Sequence, residues 1–299
     1  IEKGGVFASI WGVYNLLPQE LRKNVIGVIV NKFRGDLTLF DEGIRIIEED
    51  FKIPVLGVLP YLPFNLGFED SASLKNFVQQ PRNKKLDIAV IAYPYMSNYN
   101  DFEPLIADDE VFVEFVSSNI SLEKFDLVIL PGSKLVIKDL IWLKQTGLFE
   151  QIKNYKKDIC AICGGYEMMF ESLNDIYALE NEQPLKEQGC GLIDEVIVFE
   201  KKKILEKKSY DLFGTKIDGF EIHHGMCQKY PLSFEKENFK GTFVHQIFDN
   251  NEFRTNYFKS IKTDYKGFDF QDYKKQTVDN FISTLKSKLD VNHILKSIN

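Results

Sequence analysis

Cys163 stands at a corner of the chain. The stretch KKDICAICGGYEMMF, residues 156–170, passes from a short apolar run through Cys163 to two glycines and then to residues that suit a helix. A thiolate attacks an amide carbon only when it is reachable and partly ionised. The first turn of a helix offers unpaired N–H groups and the positive end of the helix dipole to a negative sulfur. Gly164 and Gly165 let the backbone turn sharply and keep side chains away from a substrate. The Gly164 N–H is placed to meet an oxyanion forming on the attacked carbon. A second donor is expected at a neighbouring strand end, where ILPGSK offers the backbone N–H groups near Gly132 and Ser133. This is the strand–nucleophile–helix elbow, with sulfur in place of a hydroxyl. The competing reading is a packed core cysteine, the common fate of cysteine in an apolar run. That reading leaves the two glycines unexplained. Cys160 and Cys163 also form a C-x-x-C, but no second pair completes a zinc site and Cys160 lies inside the apolar run.

A cysteine nucleophile needs a base, and the chain has four histidines: His223, His224, His245 and His293. His245 ends the apolar run GTFVH just before the polar turn DNNEF. A strand end is where functional groups gather in a parallel sheet. His293 falls in the terminal amphipathic segment and reads as a surface residue. His223 and His224, in EIHHG, alternate faces of a strand and lack H-E-x-x-H spacing, so no metal site is expected.

The elements that must carry these residues follow from apolar patterning. VIGVIV, residues 25–30, reads as a buried strand ending at Asn31. A helical stretch with Leu39, Ile44, Ile46 and Ile47 follows, then IPVLGVLPYLP, a strand stopped by Pro60 and Pro63. Residues 70–85 are polar and form the expected linker. LDIAVIAYP (86–94), FDLVILPGS (125–133) and DICAICGG carry a second series of continuous apolar strands, with the helix IKDLIWLKQTG capped by Gly147. Continuous apolar strands alternating with helices predict a doubly wound parallel sheet. Residues 191–244 read as mostly β, with EKKKILEKK as a solvated hairpin edge. Val278, Phe281, Ile282, Leu285 and Leu289 predict a terminal amphipathic helix packed on the second domain.

Composition bounds the function. The 299 residues are 44% hydrophobic and 27% charged with a net charge of −7, which suits one large or two ordinary globular domains. No broad basic surface argues for nucleic acid or an anionic membrane as a partner, and no apolar run approaches the roughly 18 residues that span a bilayer. Four cysteines in so long a chain suit a reducing cytoplasm better than a disulfide framework. There is no secretory leader, and Ile1 starts in mid-element, so upstream residues are expected. No feature of the sequence bears on oligomeric state.

The ordered motifs resemble the cobyric acid synthase family, a branch of the class I glutamine amidotransferases. IEKGGVFASIWGVYNLLP, NKFRGD, PVLGVLPYLP, YPYMSNYNDFEPL, LPGSK, ICGGYE, GFEIHHG and GTFVHQIFDNNEFR follow in family order across nearly the whole chain. The resemblance implies part of a dethiobiotin-synthetase-like ATP-binding domain over residues 1–80, then a flavodoxin-like class I amidotransferase domain over residues 86–299. The implied reaction is ATP-dependent amidation of side-chain carboxylates of adenosylcobyrinic acid a,c-diamide, with glutamine hydrolysed at Cys163 and His245. ATP and Mg²⁺ are the implied cofactors, without a prosthetic group; glutamine and a corrinoid are the implied partners. Gly132, Ser133 and Gly164 are the implied oxyanion hole, and Gly165, Glu167, Glu221 and His223 the candidate glutamine pocket. Asn31 resembles the adenine-contacting Asn of the nucleotide fold, since a carboxamide can both donate and accept; a turn-forming Asn is the alternative.

The chain departs from the family pattern at several points. Ala161 replaces a usual Gly, Glu167 the Gln of C-G-G-Y-Q, and Phe220 a Tyr. Glu2 and Lys3 stand for Asp and Arg. Many class I relatives carry a third acid two residues after the His. Here that position is Ile247, in keeping with this branch, and Glu221 is the candidate substitute. No G-x-x-x-x-G-K-[ST] phosphate loop occurs, so residues 1–299 alone are expected not to support ATP-dependent amidation even with ammonia supplied. The rival readings are a cobyrinic acid a,c-diamide synthase-like amidotransferase and a non-catalytic corrinoid- or partner-binding relative.

Overall fold

The structure, a computed structural model, describes residues 4–62 and 84–298. Glu2, Lys3, Pro63 and residues 70–83 of the expected linker lie outside them. The chain divides into two compact units, residues 67–271 and residues 1–66 with 272–299.

In the first of these, the apolar runs become parallel strands buried on both faces. β3 (Leu86–Ile91), β4 (Val111–Val116), β5 (Leu127–Leu130), β6 (Asp158–Ile162) and β12 (Phe239–Thr242) lie in the order β12-β6-β5-β3-β4, with β11 (Ser233–Lys236) antiparallel on the β12 edge. Such order requires crossovers. One is the helix Val136–Thr146, which ends as expected at Gly147, with φ 79°. β4, from the run VFVEFV, is an element that the apolar pattern did not single out.

A second sheet has the order β13-β10-β9-β7-β8, formed by β7 (Phe170–Asp175), β8 (Leu185–Gln188), β9 (Ile193–Leu212), β10 (Thr215–Met226) and β13 (Val244–His245). Its long β9–β10 hairpin carries EKKKILEKK where β9 pairs with β10 alone, and the lysines there are exposed, as expected. Position sets the site: β12 runs parallel to β6 with Thr242 opposite Ile162. The residues just beyond the two strands, Cys163 and His245, therefore emerge at one end of the sheet.

The other unit contains β1 (Val28–Phe33) and β2 (Val55–Pro60), paired in parallel, and the helix Val6–Leu16. Val30, Phe33, Phe40, Ile47 and Ile53 form its core. β1 begins later than the apolar run suggests because its partner only starts at Pro54, whose carbonyl accepts the Val28 N–H at 2.8 Å. Asn31 thus lies inside the strand and not at its end.

The terminal helix, Phe270–Lys288, forms as the spacing predicts, but its partner differs from the expectation. From Asp272 onward it falls within the unit of residues 1–66. Leu289 bridges to Gly57, and the Asp290 N–H donates to the Leu56 carbonyl at 2.7 Å. The backbone edge of β2 has hydrogen-bonding groups to satisfy, and this segment supplies partners. Among the described residues no helix is long and apolar enough to cross a membrane.

Tight approach of the Cys163 turn to β5 is testable. The Gly165 N–H donates to the Pro131 carbonyl at 3.0 Å, and a Cβ there would lie 2.2 Å from the Leu130 carbonyl oxygen. Gly165→Ala is expected to destabilise the fold by about 1–3 kcal/mol, read as a lower urea midpoint at unchanged slope. An unchanged midpoint would mean that this turn can lift off β5 without loss.

Candidate active site

Cys163 follows β6 with φ 51° and ψ −112°, a conformation that costs energy for any residue with a side chain. It is held there: its N–H donates to the Thr242 carbonyl on β12 at 2.8 Å, and its carbonyl accepts the Glu167 N–H at 3.0 Å. The helix after it is only one turn, Gly164–Glu167. The long helix dipole expected behind the sulfur is therefore lacking, and what the turn offers is its own unpaired N–H groups. The physical reason lies downstream. The carbonyls of Met168, Met169 and Phe170 accept N–H groups from residues 190–193, which draws the chain into β7.

The expected oxyanion residues converge on this turn. A Cβ on Gly164 would lie 2.8 Å from the Ser133 nitrogen, so the two backbones abut. The 131–134 segment is tied to the loop after β3 by Ser97 N–H to Gly132 O and Lys134 N–H to Tyr95 O, both 2.9 Å. Asp139, in the first turn of Val136–Thr146, braces both strands of this tie. Its Oδ2 accepts the Ser133 hydroxyl at 2.5 Å and its Oδ1 accepts the Tyr95 N–H at 3.1 Å. Burial pushes its carboxyl up to about 6 against those two hydrogen bonds. With the Ser133 hydroxyl so engaged, its backbone N–H is the group left for an oxyanion.

His245 is fully buried, its ring stacked on Phe220 with centroids 5.0 Å apart. Gly132 passes over the ring edge, close enough that a Cβ would sit 2.9 Å from His245 Cε1. Nδ1 lies 2.6 Å from Asp101 Oδ2, and Nε2 lies 3.1 Å from Asn98 Nδ2. Burial alone would depress the imidazole. That is the largest single effect, but the charges of Asp101 and Cys163 and hydrogen bonds to both together outweigh it and push His245 up to about 10. Cys163 and His245 thus lie near enough for the charge of one to act on the other. The Cys163 Sγ also donates to the Ile222 carbonyl at 3.7 Å.

Asp101 was missed in the sequence. It lies in the SNYNDFEPL motif, 144 residues from His245, and only the composition of that motif could have drawn attention to it. Glu221, the candidate substitute acid, does not reach His245. Its Oε2 lies 3.2 Å from His223 Nε2 instead, because Glu221 and His223 are two apart on β10 and share a face.

Beside Cys163 opens a cavity of about 430 Å³ whose lining includes Glu167, Glu180, His223, Lys134 and Lys203. Of the candidate pocket residues, Glu167 and His223 line it, whereas Gly165 and Glu221 lie behind. Burial, with the charges of Cys163 and Glu180, holds the Glu167 carboxyl well above the usual carboxylate range against a hydrogen bond from the Gly225 N–H. When protonated, Glu167 carries a donor and an acceptor like the amide it replaces. Burial likewise pushes Glu180 up to about 7, against the N–H groups of Ile137 and Val136. His223 stacks on Phe243 at 3.8 Å, and its Nδ1 lies 2.7 Å from the Gly225 carbonyl. Asn31 belongs to the other unit, exposed on β1, and its Oδ1 accepts the Lys32 N–H at 2.8 Å.

The model of the CobB/CobQ-like glutamine amidotransferase domain matches residues 87–253, which includes Asp101, Cys163 and His245. The chain belongs to this family. Residues 1–65 match the CobQ/CobB/MinD/ParA nucleotide binding domain. The cobyric acid synthase of Acinetobacter baylyi is 67% identical over 298 residues, covering 100% of this chain and 64% of that protein. Those of Clostridium tetani and Prochlorococcus marinus are 36% and 34% identical, covering 100% and 99% of this chain and 66% and 65% of their own. The chain therefore spans slightly less than two thirds of these relatives.

In this amidotransferase the folded state favours the imidazolium of His245 more than the unfolded chain does. That stabilisation is complete below the ordinary value of 6.5 and is lost as pH rises toward about 10. Urea midpoints of the wild type and His245→Gln, taken across this range, should converge as pH rises, by at most about 1.4 kcal/mol per pH unit. Parallel curves would mean that His245 rests neutral.

Proposed function

We propose that Cys163 and His245 hydrolyse glutamine and that the ammonia serves amidation of a corrinoid in cobyric acid synthesis. The observation that carries the first part is the meeting of Cys163 and His245 beside the backbones of Gly164 and Ser133, at a cavity of about 430 Å³. In this reading the Cys163 proton already rests on His245 Nε2, and the Sγ thiolate attacks the carboxamide carbon of glutamine. The oxyanion is met by the N–H groups of Gly164 and Ser133. As the C–N bond breaks, His245 returns the proton to the leaving nitrogen, which departs as ammonia and leaves a glutamyl thioester on Cys163. Water then adds to the thioester, giving a proton to His245. The C–S bond breaks, the proton returns to sulfur, and glutamate leaves. Glu167 hydrogen-bonds the substrate, and Lys134 and Lys203 supply positive charge for its α-carboxylate. A cytoplasmic setting keeps the sulfur reduced.

The corrinoid assignment is supported by the 67% identity to a cobyric acid synthase over essentially the whole chain. The acceptors would be side-chain carboxylates of adenosylcobyrinic acid a,c-diamide. ATP with Mg²⁺ would supply their activation. The residues present do not fit the whole nucleotide: Asn31 offers a carboxamide edge for adenine, but the sequence contains no G-x-x-x-x-G-K-[ST] stretch. No step involving the nucleotide phosphates is assigned to them.

Cys163→Ala should abolish glutaminase activity, with a loss on the order of 10⁴-fold or more. A glutamine-analogue electrophile should label Cys163, located by peptide mass spectrometry. Retention of most of the activity, or labelling of Cys160 in its place, would refute the assignment.

A further inference from the structure

We infer that Asp101, supplied from the loop after β3, is the positioning residue of the site: it fixes which nitrogen of His245 carries the proton and clamps the corner that presents the ring to Cys163. This rests on the glutaminase reading of Cys163 and His245.

Three features of the geometry carry it. Asp101 is fully buried, and both its oxygens are committed to one corner of the chain. Oδ2 lies 2.6 Å from His245 Nδ1, and Oδ1 accepts the Gln246 N–H at 2.8 Å. Gln246 has φ 63°, a left-handed conformation that a non-glycine residue holds at a cost. The carboxylate thus secures the imidazole and the strained backbone step after it together. The loop bearing Asp101 is itself anchored, since its N–H donates to the Asn98 carbonyl at 3.0 Å and the adjacent Phe102 is fully buried.

Chemistry supplies the rest. An ionised carboxylate only accepts, so Nδ1 must be the donor, and Nε2, which faces the Asn98 amide, is left as the nitrogen that exchanges a proton with the sulfur. The titratable groups that act on His245 are Asp101 and Cys163. With the thiol proton on Nε2, a buried imidazolium stands between two negative groups, and Asp101 is the one that remains throughout the reaction. The position two residues after the histidine, where an acid could do this from the same strand end, is the fully buried Ile247. The site therefore recruits its acid from a different strand, and the left-handed Asn98 preceding Asp101 brings its own amide within 3.1 Å of Nε2.

The test uses Asp101→Asn and Asp101→Glu in the whole protein. It measures kcat and KM for glutamine, the pH profile of Cys163 alkylation by iodoacetamide, and the thermal midpoint. Asn keeps the shape but can turn an N–H toward Nδ1 and force the proton onto Nε2. For Asp101→Asn, kcat should fall about 10²–10⁴-fold with KM changed by no more than a few-fold. The alkylation profile should move to higher pH, because the sulfur loses a well-formed imidazolium partner. Asp101→Glu should recover part of both effects. A kcat within a few-fold of wild type overturns the inference. So does a loss of kcat that comes with a lower midpoint and an unmoved alkylation profile, since that is the mark of packing support alone. If wild type itself lacks glutaminase activity, the functional reading falls, while the alkylation profile still decides whether Asp101 sets the state of His245.

Discussion

The parallel pairing of β12 with β6 is the contact on which the site depends. Thr242 opposes Ile162, and the Thr242 carbonyl reaches past the end of β6 to take the Cys163 N–H at 2.8 Å. That one hydrogen bond holds the strained Cys163 at a strand end and leaves the departing β12 strand only two residues in which to place His245. Phe243 and Val244, between them, are buried. The strain at Cys163 is thus balanced by ladder hydrogen bonds and packing on both sides, which is how a conformation with φ 51° persists. A slip of this register by one residue would put the imidazole on the opposite face of the sheet.

Around the sulfur the chain buries a cluster of acids: Asp101, Asp139 and Glu167. Such a cluster would be untenable if all were ionised in a site meant to generate a thiolate. They are kept apart in charge by environment. Asp101 faces the imidazole. Asp139 shares hydrogen bonds with Ser133 and Tyr95, and burial with the charge of Cys163 pushes the Glu167 carboxyl well up. That upward push softens the exchange of Gln for Glu at position 167, because a protonated carboxyl and a carboxamide offer the same pair of hydrogen-bonding roles.

Cys163, His245 and the Gly132–Ser133 turn were legible because each is marked locally: glycines after a strand, a histidine closing an apolar run, a turn after another run. Asp101 carries no such mark, since its tie to His245 spans 144 residues and depends on β3 and β12 lying in one sheet. The length of the helix after Cys163 was also hidden, for GGYEMMF has helical residues throughout. What stops it is hydrogen bonding from residues 190–193. β4 escaped notice because Glu114 breaks an otherwise apolar run. The terminal helix shows the same division: spacing revealed the element, while its partner, the β2 edge, is a matter of tertiary contact. The start of β1 was set by its partner as well, which moved Asn31 from a strand end into the strand.

The attachment of Leu289 and Asp290 to β2 gives the chain an order of assembly. One compact unit takes residues from both sides of the other, so residues 67–271 are synthesised before residues 272–299. The amidotransferase unit can therefore close on its own while the β2 backbone at Leu56 and Gly57 still waits for its last partners. During that interval the edge is open to pairing with another nascent chain. Residues 289–290 act in this sense as a latch, and a chain cut before Asp272 would keep Cys163 and His245 while losing the partners of Leu56 and Gly57.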